Sequence, residues 1–208
     1  MSNSTPDNPT LTLTLMAGLP GVGKSTLAHL LGKELDWTVI KKDEVKEQLL
    51  RDGLGDDAAS FKAYNLSFKA AREELKQNRS VILDTAALHS FILKEAQEII
   101  SDMMPARVRL KVLFLVVADR DLRNERIQQR PPQTTVKRVD PSNINDYLDH
   151  YLHLPLPPGS FYLDTSTHKP EDYQPRASYY LRSDDAKYDD DEEMLSGVGR
   201  LLAISSSV

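Results

Sequence analysis

Residues 18–25 are the part of the chain whose residue types and spacing most clearly carry chemistry. They read Gly-Leu-Pro-Gly-Val-Gly-Lys-Ser and fit the pattern G-x-x-x-x-G-K-[S/T], which binds the phosphates of a nucleotide. Glycines let backbone N–H groups turn toward phosphate oxygens, because no Cβ stands in the way. Lys24 would reach the β- and γ-phosphates, and the Ser25 hydroxyl would ligate Mg²⁺. The pattern therefore predicts a nucleoside triphosphate site, and the alternative is a glycine-rich turn that binds nothing.

The predicted phosphate-binding set extends to Thr26 at the start of the next helix, whose dipole directs its positive end at the same anion. The residues expected to contact the nucleotide are Gly18, Leu19, Pro20, Gly21, Val22, Gly23, Lys24, Ser25 and Thr26.

These residues need a strand before them and a helix after them, and the sequence supplies both. Leu11–Ala17 alternates Leu with Thr and then becomes apolar, which is typical of a strand. Strands and helices alternate along the first 165 residues, which predicts an α/β fold with a five-stranded, mostly parallel sheet and helices on both faces. The expected strands are residues 11–17, 37–40, 80–83, 107–117 and 160–163.

Helices are expected between these strands, and Asp43 and Asp119 are candidates for helix N-caps. The expected helices are residues 26–35, 43–50, 61–77, 91–103, 119–129, 143–152 and 192–204, and residues 165–191 are expected to be irregular. Residues 1–10 are expected to be a disordered leader, 11–182 a single domain, and 183–208 an acidic segment with a C-terminal helix. The aromatic residues expected in the core are Trp37, Phe61, Tyr64, Phe68 and Phe114.

Composition and charge exclude several classes of protein. The chain has no cysteine, which excludes a disulfide framework and thiolate sites and fits a reducing, cytoplasmic location. The longest apolar run, residues 112–118, is too short to span a bilayer, so no membrane association is expected. Residues 183–193 carry seven acids and one base, which gives this segment a charge of −6. Because the net charge of the whole chain is −5, the rest of the chain carries about +1. Such a near-neutral body has no general field to attract nucleic acid.

Four segments together resemble the small P-loop kinases, and the closest group looks like the zeta-toxin, chloramphenicol-phosphotransferase and polynucleotide-5′-kinase-like ATPases. The segments are residues 18–26, 42–46, 80–84 and 121–130. The resemblance covers residues 11–165 and implies a three-layer P-loop NTPase sandwich with a short lid at about residues 130–142. It also implies ATP and Mg²⁺ as cofactors, a hydroxyl group as acceptor, and an adenine pocket lined by residues 164–166.

The resemblance also implies roles for four residues near the acceptor and the metal. Asp43 follows the second strand on the ligand edge of the predicted sheet, where the resembling kinases carry an acid that accepts or orients the proton of the acceptor hydroxyl. Asp84 looks like the Walker B acid, which would hold Mg²⁺ through water or fix Ser25. Lys46 and His89 stand where relatives usually carry arginine and are weaker substrate candidates. The alternatives are a helix cap for Asp43, a strand end for Asp84 and surface positions for the other two.

A group of arginines resembles the lid of the small kinases. Arg123, Arg126 and Arg130 are spaced by three and four residues and share one helix face. Lid arginines neutralise charge on the transferring phosphate, and Arg126 and Arg130 match best. With Lys24 and Asp43 they form the expected catalytic set, and the alternative is a solvated basic face.

The expected function is therefore ATP-dependent transfer of the γ-phosphate to a hydroxyl group of a small molecule. A polynucleotide 5′-hydroxyl kinase is an alternative, although it needs a basic groove that a near-neutral body does not provide. The other alternative is an ATP-binding switch or scaffold, supported by the acidic run. The sequence gives no indication of the oligomeric state.

Overall fold

The computed structural model describes residues 10–85, 89–104, 107–117, 119–129, 159–166 and 169–183, and these form five strands and six helices. The strands are β1 (Leu11–Ala17), β2 (Thr38–Lys41), β3 (Val81–Asp84), β4 (Val108–Val116) and β5 (Phe161–Asp164). The helices are α1 (Lys24–Leu35), α2 (Lys42–Arg51), α3 (Asp56–Lys76), α4 (Ser90–Asp102), α5 (Arg120–Gln128) and α6 (Pro170–Arg182).

The strands form one sheet in the order β2-β3-β1-β4-β5, and all four pairings are parallel. In the central strand, Leu15 lies opposite Leu83 on one side and Val112 on the other. Every residue of β1 is buried, and because successive side chains point to opposite faces, both faces of the sheet are covered. The predicted α/β fold, a P-loop NTPase three-layer sandwich with a five-stranded parallel sheet, is therefore confirmed.

Three predictions about helices α2 and α3 are wrong. Helix α2 begins at Lys42 with Lys41 at its N-cap, so Asp43 lies in the first turn and does not cap the helix. Helix α3 begins at Asp56, five residues earlier than predicted, because the acids that suggested a loop occupy its first turn and favour the helix dipole there. Phe61 is 68% exposed and does not belong to the core.

The segment predicted to be irregular contains helix α6, which is the largest error of the sequence analysis. Pro170 occupies its first turn, Glu171 and Asp172 follow, and the Asp172 carboxylate accepts a hydrogen bond from the Lys169 backbone N–H at 3.0 Å. This is an ordinary helix start. Because a proline inside a segment argues against a helix, Pro175 favours the prediction of irregular structure. The buried apolar residues recur at helical spacing: Tyr173, Ala177, Tyr180 and Leu181.

Several predicted features lie outside the described residues, namely the leader up to residue 9, the lid at 130–142, and the helices at 143–152 and 192–204. Among the described residues, no helix combines the length and the hydropathy needed to span a bilayer.

Candidate active site

The predicted phosphate loop connects β1 to α1 at the centre of the sheet. Gly18 has a φ of +125°, and a Cβ there would lie 2.2 Å from the Leu115 carbonyl oxygen. Gly21 has a φ of +87°, and its Cβ would lie 2.8 Å from the Arg123 carbonyl oxygen. Both positions therefore require glycine, because a side chain would be strained and would collide with backbone.

Lys24 is the first residue of α1 and its side chain is buried at the phosphate loop. Its ammonium group donates hydrogen bonds to the carbonyl oxygens of Gly18 and Leu19 at 2.9 and 2.8 Å. Two neutral acceptors thus hold the charge against the loop, and negatively charged phosphate oxygens can replace them with stronger hydrogen bonds.

Ser25 and Asp84, the two residues predicted to hold the metal, lie together. Strand β3 is hydrogen-bonded to β1, and Asp84 is in register with Met16 just before the phosphate loop. The Ser25 hydroxyl is close enough to the Asp84 carboxylate to lower its pKa as a hydrogen-bond donor. Burial raises the pKa of Asp84, and the nearby Asp43 charge adds to this, while the Ser25 hydrogen bond and the charges of Lys24 and Lys41 oppose it.

A cavity of about 500 Å³ opens beside this pair and brings Asp43 to it. The side chain of Asp43 is 46% exposed. Because α2 starts directly after β2, its first turn lies at the carboxyl edge of the sheet, where parallel α/β proteins bind ligands. The remaining described lining residues are Gly23, Thr26, His29, Leu30, Lys41, Glu44 and Glu171.

Two lysines that the sequence analysis did not single out bear on this cavity. Lys41 lines it and pairs with Glu44 at 2.7 Å. Lys42 is buried, and its Nζ lies 2.6 Å from Asp43 Oδ1. Burial disfavours the charge on Lys42, but the Asp43 carboxylate and other neighbours outweigh it and raise the pKa of Lys42. In the run Lys41–Glu44 two bases precede two acids, and the sequence alone does not show which of the two ammonium groups is buried.

The two weaker substrate candidates are not among the described residues that line this cavity. Lys46 is buried between α2 and α3 and pairs with Asp56 at 3.0 Å. His89 precedes α4, and its ring stacks on Phe91 with 5.5 Å between the ring centroids. The hypothesis that these two residues contact a substrate stays a prediction.

A second cavity, of about 360 Å³, lies on another side of the phosphate loop and contains Arg126. The Arg126 guanidinium donates a hydrogen bond to the Thr165 carbonyl oxygen at 3.0 Å. Thr165 is itself buried, and its hydroxyl donates to the Val22 carbonyl oxygen of the loop at 2.9 Å. The segment after β5 therefore supports the phosphate loop. The other described lining residues are Gly21, Gly23, Thr26, Gln129, Pro170 and Tyr173.

The remaining arginines of the predicted lid face differ in position. Arg123 is only 1% exposed and packs with its Cγ and backbone against Gly21 of the phosphate loop. It therefore does not lie on a solvated face. Arg130 lies outside the described residues.

The chemistry of these residues fits ATP and Mg²⁺. Mg²⁺ prefers oxygen ligands and is usually held by one or two protein groups together with phosphate oxygens and water. Ser25 and Asp84 supply a hydroxyl and a carboxylate, and a cation there would offset the cost of the buried charge of Asp84. In the described part of the chain, no cluster of three or more His, Asp or Glu side chains could hold a metal alone.

Comparisons with known proteins agree with this fold. A family model described as an AAA domain matches residues 13–154. The search of curated proteins found no match.

Three solved structures are similar to this chain at low sequence identity. A proposed kinase from Chloroflexus aurantiacus has a TM-score of 0.65 at 19% identity, covering 84% of this chain and 100% of its own. A sugar kinase from Janibacter sp. has a TM-score of 0.58 at 20% identity, with 83% and 95% covered. An APS kinase from Mycobacterium tuberculosis, in complex with AMPPNP and APS, has a TM-score of 0.57 at 15% identity, with 84% and 99% covered. At these identities the similarity establishes the fold.

Proposed function

The chain belongs to the AAA domain family, and from this membership and its P-loop NTPase fold we propose that it is an ATP-dependent phosphotransferase acting on a small-molecule hydroxyl group. The observation that carries the proposal is the cavity of about 500 Å³, in which Ser25 and Asp84 on the phosphate side meet Asp43. A phosphoryl donor and an acceptor must share one space for in-line transfer. Here Ser25 and Asp84, which suit the donor, and Asp43, which suits the acceptor, line the same cavity.

On the donor side, the phosphate loop and Lys24 bind the triphosphate. The Lys24 ammonium exchanges the carbonyl oxygens of Gly18 and Leu19 for oxygens of the β- and γ-phosphates. Ser25 and Asp84 would hold Mg²⁺, which when bound neutralises phosphate charge.

On the acceptor side, Asp43 orients the acceptor hydroxyl and accepts its proton. The acceptor oxygen forms a bond to the γ-phosphorus as the bond between that phosphorus and the β–γ bridging oxygen breaks, and ADP leaves with the electron pair. Because phosphoryl transfer is loose, the main contribution of Asp43 is the position of the hydroxyl. Arg126, with Arg130, would neutralise charge on the phosphate in transit.

A small acceptor is supported by the kinases of similar fold, which include one named for sugars and one bound to APS. It is also supported by the body of the chain, which carries a net charge near +1 outside residues 183–193. Polynucleotide kinases need a basic groove along the strand, so the nucleic-acid alternative has less support.

The test is transfer of label from γ-labelled ATP with Mg²⁺ to a pool of hydroxyl metabolites, nucleosides and oligonucleotides. We expect one small compound to be labelled. Lys24→Ala should reduce transfer about 10²–10³-fold, because it removes a charge that stabilises the transition state. Asp43→Asn should reduce it about 10²–10⁴-fold, because the neutral amide neither positions the acceptor hydroxyl as the carboxylate does nor accepts its proton.

The matched control is Lys76→Ala, since Lys76 pairs with Glu73 on the surface of α3 and should transfer label like the wild type. Labelling of oligonucleotide ends alone would replace the proposal with a polynucleotide kinase. ATP binding with no labelled acceptor would favour a nucleotide-dependent switch.

A further inference from the structure

Lys42 is a buried cation beside the proposed acceptor base, and the mechanism above does not use it. It is the first residue of α2 and only 7% exposed. Its Nζ lies 2.6 Å from Asp43 Oδ1 and 5.0 Å from the centroid of the Tyr64 ring on α3. The ammonium group is thus held between a carboxylate and an aromatic face, both of which favour its charge.

The charges around Lys42 explain why a cation is needed there. Asp43 and Asp84 are close enough that the charge of Asp43 raises the pKa of Asp84. Two carboxylates in one partly buried site repel each other, and a nearby positive charge reduces that repulsion. Lys42 supplies such a charge, since its ammonium group pairs with Asp43 at 2.6 Å and the charge of Asp84 also raises its pKa.

The neighbouring lysines already have other acidic partners. Lys41 pairs with Glu44 at 2.7 Å, and Lys46, one turn after Lys42, pairs with Asp56 at 3.0 Å. Among the ion pairs of the described residues, the one that reaches Asp43 comes from Lys42. The arrangement is therefore specific to one ammonium group.

We propose that Lys42 is a positioning residue for phosphotransfer: held on the Tyr64 ring, it fixes the Asp43 carboxylate in the orientation that receives the acceptor hydroxyl. This inference rests on the proposed function, because it assigns Lys42 a role through Asp43. Lys42 itself touches neither ATP nor the acceptor in this assignment.

The kinetic test compares Lys42→Met, Lys42→Arg, Asp43→Asn and the double variant Lys42→Met with Asp43→Asn. Methionine keeps an unbranched apolar side chain of similar length and removes the charge. We expect Lys42→Met to lower kcat about 10- to 100-fold, because a small misplacement of a reacting group has that effect, with KM for ATP unchanged. Lys42→Arg should restore most of kcat, because arginine keeps the charge and the contact with an aromatic face.

The double variant separates positioning from a general structural effect. If Lys42 acts through Asp43, the Met substitution should cause no further loss in the Asp43→Asn background. An equal loss in both backgrounds, or a wild-type kcat in Lys42→Met, would overturn the inference. Lys76→Met is the matched control for loss of a lysine charge.

A second measurement does not depend on catalysis. Three-bond NMR couplings of Asp43 report whether its χ1 angle occupies one rotamer. We expect one rotamer in the wild type and in Lys42→Arg, and averaged couplings in Lys42→Met. Unchanged couplings in Lys42→Met would reject the inference even if the protein is a kinase. Averaging in Lys42→Met, in a protein that transfers no phosphate, would support the contact and reject the proposed function.

Discussion

Asp84 carries its charge in surroundings that oppose it. It is 8% exposed, it ends a fully buried strand, and it shares its site with Asp43. The Ser25 hydroxyl and the Lys24 ammonium lower the cost of this charge without removing it, because burial still raises the pKa of Asp84. A residue of this kind lowers stability in order to hold a ligand, which is a common compromise at functional sites.

Replacing Asp84 by asparagine should therefore stabilise the protein while it abolishes transfer. The amide oxygen still accepts the Ser25 hydrogen bond, and the buried charge is gone. We expect the free energy of unfolding at pH 7 without Mg²⁺ to rise by about 0.5–2 kcal/mol, measured by urea unfolding. The folded-state pKa of Asp84 lies above its unfolded value, so its charge opposes folding only above that unfolded value. The gain should thus shrink toward zero by about pH 3.

The same variant should lose the stabilisation that Mg²⁺ and ATP give the wild type, because a ligand that binds only the folded state raises the melting temperature. Asp102→Asn is the matched control, since Asp102 is 60% exposed and pairs with Arg72 on the surface. A lower free energy of unfolding in Asp84→Asn than in the wild type would contradict the assignment of a strained carboxylate.

The sequence predicts some site residues and not others for a physical reason. Lys24 and Ser25 are fixed by a local pattern, because the phosphate loop closes within eight residues. Asp84 could be predicted because an apolar strand positions its last residue at the ligand edge. The Lys42–Asp43 contact could not, because it depends on side-chain rotamers and on where α2 begins, and Tyr64 on α3 supplies the surface that holds it.

At the scale of elements, the end of α3 is joined to β2 through one carboxylate. Glu74 accepts hydrogen bonds from Arg79 at 2.6 and 2.9 Å and from the Thr38 hydroxyl at 2.6 Å. These bonds, the one from Arg79 first, lower the pKa of Glu74 to about 2. Glu74 thus connects the turn after α3 to the first residue of β2.

Glu74→Gln should weaken this connection and reduce the acid sensitivity of the protein. A carboxylate whose folded-state pKa is lowered contributes stability above its unfolded value, near 4.3, and loses it as the pH falls toward 2. Because the pair is partly exposed, we expect a loss of about 0.5–1 kcal/mol at pH 7. Urea unfolding at pH 7 and pH 3 should show a smaller difference between the two pH values in the variant. An identical difference in both proteins would show that Glu74 does not contribute.

The elements with strong local sequence patterns could be predicted, and helix α6 could not. Every residue of β1 and the last six residues of β4 are buried, and the apolar side chains among them reveal both strands in the sequence. Helix α6 has few apolar residues and an internal proline, and its stability comes from contacts with distant residues. Glu34 on α1 accepts hydrogen bonds from Gln174 and Ser178 at 2.7 and 2.6 Å. Such long-range contacts override local propensity.

At the scale of the whole molecule, the fold includes elements that lie beyond the region matched by the family model. The family match ends at residue 154, before β5 and α6. Yet β5 pairs with β4 at the edge of the sheet, and the C-terminal part of α6 contacts Arg109 and Lys111 in the stretch of β4 that extends beyond β5. There the Tyr180 hydroxyl donates to the Gly159 carbonyl oxygen at 2.7 Å, and Arg109 on β4 donates to the Ser183 carbonyl oxygen at 2.9 Å. Burial raises the pKa of Tyr180 to about 12.

Removing α6 should therefore prevent stable folding, although the phosphate loop, Asp43 and Asp84 all remain. Burial of a large apolar side chain contributes about 1.5–3 kcal/mol, so loss of Tyr173, Tyr180 and Leu181 removes on the order of 5 kcal/mol or more. That is comparable to the total stability of a domain, about 5–15 kcal/mol. A chain ending at Ser166 should show no cooperative thermal transition by circular dichroism. A chain ending at Ser183 keeps every described element and should unfold cooperatively. If the chain ending at Ser166 melts like the one ending at Ser183, the residues before α6 form a complete domain and α6 is only an accessory to it.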